Sequence, residues 1–154
     1  MRSQGRNGSS VAARLILCGC LLLPGPAQAS PAADALQRAV ALVRDGRLAE
    51  AATAAETALA DPDTRPVACS VLGTIRIRQQ RFDEAVRLLQ EAIRLEPRLV
   101  GAHLTLAEHY THQRETERAI PLYRRVVELD AGNVPARLAL ARIEVERGRP
   151  EQAM

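Results

Sequence analysis

Residues 71–97 read VLGTIRIRQQRFDEAVRLLQEAIRLEP, and this stretch decides the fold. Val71, Leu72, Ile75 and Gln79 recur at helical spacing and mark one face of a helix. Gln80-Arg81-Phe82 predicts a turn. Asp83 is expected to cap a second helix, with Glu84 near its positive end. Ala85, Leu88, Leu89, Ala92, Ile93 and Leu95 then return at three- and four-residue steps. Glu96-Pro97 predicts the stop, because proline cannot continue a helix. The local unit is therefore a pair of short helices joined by a tight turn.

Outward from this pair the chain repeats itself every 34 residues, as 32–65, 66–99, 100–133 and an incomplete 134–154. The seventh positions are Leu72, Leu106 and Leu140, with Arg38 the exception. The eighth are Ala39, Gly73, Ala107 and Ala141, and the twentieth are Ala51, Ala85, Ala119 and Ala153. The twenty-seventh are Ala58, Ala92 and Val126. Small residues at the eighth and twentieth positions let the two helices of a unit approach closely, and larger side chains fill the space between units. One pair cannot bury its apolar face alone, whereas stacked pairs can. Gly46 and Gly148 fall at the inter-helix turn, where a positive φ is easily accepted. Pro62 closes the first unit, and Pro135 opens the last.

Leu72-Gly73, Phe82-Asp83-Glu84-Ala85, Ala92 and Pro97 resemble the tetratricopeptide repeat family at that family's spacing. Leu106-Ala107, Tyr110, Ala119, Tyr123 and Val126 repeat the match in the third unit. The resemblance covers roughly 120 residues and implies an all-α fold: a right-handed α-solenoid of antiparallel helix pairs, about three and a half units long, over residues 30–154. There are departures. Arg76 and Glu144 stand where the family usually carries a large apolar residue. Pro121 falls inside a helix, so a lost hydrogen bond and a slight bend are expected. The second helix of the last unit is reduced to Glu151–Met154, which should leave Leu138, Leu140, Ile143 and Val145 uncovered.

Residues 1–29 read as an export signal separate from the fold. Arg2, Arg6 and Arg14 form a basic, acid-free start, and Leu15–Leu23 is an apolar run too short to span a bilayer. Pro24-Gly25-Pro26 breaks the run, and Ala27-Gln28-Ala29 supplies the small residues a signal peptidase requires, which places cleavage before Ser30. A periplasmic destination is expected. The alternatives are a lipoprotein acylated at Cys20, which would put the chain on a membrane, and an uncleaved anchor. Cleavage removes three of the 21 arginines and none of the 18 acids, so the net charge falls from +3 to zero. A basic-protein argument for nucleic acid does not survive this. Cys69 is then the one remaining thiol, and its place on an apolar helix face predicts a buried structural residue.

No catalytic constellation is found: the chain has no Gly-rich phosphate loop and no nucleophile elbow. His109 and His112 share a helix at a spacing a metal could use, but without a third ligand they read as structural or solvated. Glu115 and Glu117 read as a solvated loop. The aromatics Phe82, Tyr110 and Tyr123 fall at packing positions, leaving none to stack on bases. No enzyme activity, cofactor, metal or nucleic acid is expected.

The family resemblance implies that the first helix of each unit lines an inner groove. Mapped onto this chain, the candidate partner-binding residues are Leu36, Val40 and Arg44 in the first unit, and Ser70, Thr74 and Arg78 in the second. The third contributes Leu104, Thr105, Glu108 and His112, and the fourth Arg142. This strip lacks the Lys/Asn pattern with which some relatives clamp a C-terminal carboxylate, and suits a segment with aliphatic anchors. The function expected is a non-catalytic scaffold or adaptor of the bacterial cell envelope. The alternatives are a solenoid that self-associates through its open C-terminal end and an accessory region of a larger enzyme.

Overall fold

The computed structural model describes residues 30–148. The expectations for residues 1–29 and for Glu151–Met154 lie outside them. Among the described residues seven helices follow one another: α1 (Pro31–Arg44), α2 (Leu48–Ala58), α3 (Arg65–Arg78), α4 (Phe82–Leu95), α5 (Val100–His112), α6 (Thr116–Leu129) and α7 (Val134–Glu146). α1/α2, α3/α4 and α5/α6 are the expected pairs, and each following helix packs on the pair before it. The first helices α1, α3 and α5 also touch in sequence, so they form one layer of the solenoid.

The turn inside each unit has one design. The N–H of Arg47 bonds the carbonyl of Leu42 at 2.9 Å, that of Arg81 bonds Arg76 at 2.8 Å, and that of Glu115 bonds Tyr110 at 2.8 Å. Such bonds close the end of the preceding helix and need a left-handed residue at the corner. Gly46 supplies it at φ 76° and Gly148 at φ 70°, as the sequence predicts. In the second and third units Gln80 (φ 61°) and Arg114 (φ 60°) do so without being glycine. Exchanging Gln80 for glycine is accordingly expected to raise stability by about 0.5–1 kcal/mol, whereas Gly46→Ala should lower it by about 1 kcal/mol although open space surrounds the added methyl. Urea unfolding of the two variants checks both signs.

This backbone closure also explains a correction. Asp83 does not cap α4: Arg81 occupies that position with no side-chain cap bond, and Asp83 lies in the first helical turn, where its charge suits the helix dipole. Side-chain caps occur instead where a unit begins on an extended residue. Ser30 accepts from Ala33 N–H at 3.1 Å, and Asn133 accepts from Ala136 N–H at 3.2 Å. Glu115 and Glu117 are exposed beside the turn, as expected, but both are paired. Glu115 precedes α6 and pairs with Arg118 at 2.6 Å, while Glu117 lies in the first turn of α6 and pairs with Arg147. α6 runs continuously through Pro121.

Ala39, Ala51, Ala85, Ala107 and Ala119 are fully buried. At Gly73 an added Cβ would meet Leu89 Cγ at 2.8 Å and the Ala85 carbonyl oxygen at 3.3 Å. The core runs across units. Ala39, Leu42 and Ala51 pack with Leu72 and Ile75 of the next unit, and Leu89 and Ala92 pack with Leu106, Tyr110, Tyr123 and Val126. Cys69 is buried, as expected. The departures at the eleventh position are now explicable. Arg76 is nearly buried and ties three helices, bonding Glu56 of α2 and Gln79 at 2.8 Å each, with Glu84 of α4 3.4 Å away. Glu144 is buried, with Arg124 3.9 Å away and no hydrogen bond to its Oε2 among the described residues.

Two expectations fail. Ile143 is buried and Leu140 is half-buried against the core, because α7 seats that face on α6; Leu138 and Val145 do stand exposed. Phe82 is only partly held in the packing. It is 39% exposed at the first residue of α4, with its ring 5.3 Å from that of His109.

Candidate binding groove

The layer of first helices places the candidate groove residues in three different settings. Val40, Arg44, Arg78, Glu108, His112 and Arg142 are exposed or partly so, and Leu36, Thr74, Leu104 and Thr105 are half-buried. Ser70 is buried, and its carbonyl accepts the Thr74 hydroxyl at 3.0 Å. It therefore offers nothing to a partner, because the serine faces the neighbouring helices rather than solvent. Val43 and Val71, half-buried beside the first core cluster, continue an aliphatic surface through units one and two.

Between α5, α6 and α7 the surface changes character. A cavity of about 540 Å³ opens there, lined among others by Glu108, His112, Arg142 and Glu146. Its floor is Tyr123, whose hydroxyl lies 3.1 Å from Thr111 Oγ1. Burial pushes the Tyr123 phenol up, against the opposing bond from Thr111. Tyr123 and Thr116 belong to α6, so a reading confined to first helices missed them. The signal was the size of the side chain at the twenty-fourth position, which grows from Ala55 through Leu89 to Tyr123.

His109 and His112 do not converge. His109 is buried between Phe82 and Tyr110, while His112 is exposed in the cavity wall. Burial holds the His109 imidazole below its ordinary range, with Glu115 opposing and His112 and Arg118 adding to the depression. An unfolded histidine titrates near ~6.5, so below that pH the unfolded chain binds more protons than the folded one. Stability is therefore expected to be full above this value and to fall as pH drops through the lower folded pKa. His109→Phe should flatten that fall, as read from melting temperature against pH.

Tetratricopeptide repeat profiles match residues 71–134 and 134–154. The chain belongs to the tetratricopeptide repeat family. Among solved structures it resembles MamA at 20% identity and a TM-score of 0.69, over 79% of this chain and 71% of that one. The first repeat domain of Spaghetti (RPAP3), bound to the HSP90 peptide SRMEEVD, matches at 19% identity and 0.70, over 78% and 95%. TTC0263, a thermophilic repeat protein of Thermus thermophilus, matches at 20% identity and 0.66, over 79% and 69%. These likenesses show the fold, an all-α helical-repeat solenoid. Comparison with curated proteins finds no match.

Proposed function

We propose that the chain is a non-catalytic scaffold that receives a segment of another protein along its layer of first helices. One observation carries this reading: on the first helices Val40 is exposed and Leu36, Val43, Val71 and Leu104 are half-buried, so aliphatic surface stays accessible beside the two core clusters. Peptide binding by the Spaghetti domain supports it by analogy of fold. A photo-crosslinking residue at Val40, in cells that make the full chain, tests it. Adducts to a foreign protein, lost on Leu104→Glu while the fold persists, are expected. No adduct would overturn the reading.

We place this work in the bacterial cell envelope on the strength of residues 1–29. Ser30, the first residue after the expected cut, caps α1 with its own side chain, so cleavage would leave the cap intact. Recovery of the chain from the periplasmic fraction with Ser30 as its first residue is the test. An acyl group on Cys20 would convert the reading to an anchored lipoprotein.

A second reading, self-association, is favoured by α7. Val134, Leu138 and Val145 are 68%, 61% and 58% exposed. With Ala141 they form a stripe on the side of α7 opposite buried Ala136 and Ile143. A helix apolar on two opposite sides is suited to cover on both. A concentration-dependent mass in sedimentation, abolished by Leu138→Glu, is expected if a second copy sits there. A strict monomer would sink this reading.

A further inference from the structure

The groove's two halves differ in charge, and the difference names a partner chemistry. This inference rests on the groove reading above. In units one and two the lining positions are Leu36, Val40, Val43, Val71, Thr74 and Ile77, with no acid among them. Their rim carries Arg44 and Arg78, the thirteenth residues of adjacent units. Arg78 Nη1 donates to the Val43 carbonyl at 2.7 Å, which holds its guanidinium beside the end of α1, where Arg44 follows.

Neither arginine is in an ion pair among the described residues, although Arg47, Arg76, Arg81, Arg94, Arg118 and others are. The other half of the groove balances itself: Arg142 lies 4.0 Å from Glu146, and Glu108 lines the same cavity. Two guanidiniums outside any ion pair, with Asp45 at the end of α1 as the neighbouring acid in the chain, stand beside an aliphatic surface and are complementary to a segment with apolar side chains on one face and carboxylates along one edge.

We propose that units one and two receive an aliphatic protein segment flanked by aspartate or glutamate, its carboxylates held by Arg44 and Arg78. The carboxylates are side chains within the segment, so a free C-terminus is not required.

The test uses three labelled peptides blocked at both ends. They share one leucine stripe and differ only in a flank of glutamate, glutamine or lysine. Fluorescence anisotropy against the full chain should rank glutamate first, about tenfold over glutamine, or ~1.4 kcal/mol, with lysine last. Added salt should shrink the preference, since the arginines stand at the solvent-facing rim. Arg44→Glu should invert the order. Arg78→Gln should weaken it while melting confirms the fold, which guards against loss of the Val43 contact. Equal binding of all three peptides, an unchanged ranking in the Arg44 variant, or binding of none would each overturn the proposal. Equal binding would leave the groove reading standing, whereas failure of crosslinking from Val40 would remove that reading itself.

Discussion

Leu89→Ala is expected to lower the unfolding free energy by about 3–5 kcal/mol, the cost of lost burial together with the cavity left behind. Leu89 is fully buried. It fills the space over Gly73, where an added Cβ would come within 2.8 Å of it. The two positions should therefore be strongly coupled. Gly73→Ala alone forces an immobile neighbour aside, costing about 1–3 kcal/mol against a gain of about 1 kcal/mol in helix propensity. In the Leu89→Ala background the methyl no longer meets the leucine side chain and only the Ala85 carbonyl, 3.3 Å away, still crowds it, so its cost should shrink or reverse. Urea unfolding of the four members of this cycle measures the coupling. An identical effect of Gly73→Ala in both backgrounds would mean that the close approach of α3 and α4 does not limit the packing.

Tyr123→Ala is expected to cost about 3–5 kcal/mol, and Tyr123→Phe only about 0.5–1.5 kcal/mol. The ring is buried in the larger core, so its removal opens a void shared by the third unit and α7. The hydroxyl contributes one bond, to Thr111 at 3.1 Å. Thr111 is not orphaned by its loss, because its own hydroxyl donates to the Ala107 carbonyl at 2.9 Å. The midpoint of urea unfolding reads both variants, with an unchanged slope showing that the same surface is still exposed on unfolding. If the phenylalanine variant were as unstable as the alanine variant, the hydroxyl pair and not the ring would hold this end of the solenoid. The phenylalanine variant also strips the groove floor of a polar group while keeping its shape.

Much of the fold was legible in a period of 34 residues. The columns at Ala39, Gly73 and Ala107, and at Ala51, Ala85 and Ala119, announced where helices approach, because only small side chains are tolerated there. The alternation of apolar residues set which face each helix buries. Gly46 and Gly148 marked two turns, and the turn at Gln80-Arg81-Phe82 was expected as well, but the left-handed corners at Gln80 and Arg114 were not legible because neither residue is glycine. Any residue can be carried into a left-handed corner when backbone bonds on both sides require it. The correction at Asp83 has the same origin, since the turn closes at Arg81 and α4 begins at Phe82, which puts Asp83 inside the first helical turn.

The groove was legible only as a set of positions. The sequence by itself determined the helix pairs, their order and the stacking that no single unit could achieve, because these follow from periodicity and from residue size. Only the tertiary structure decided that Ser70 is buried, that Phe82 is exposed, that Tyr123 floors the cavity and that Arg44 and Arg78 are in no ion pair among the described residues. Burial at these positions depends on residues of neighbouring helices and units, and that geometry is set by how the units stack.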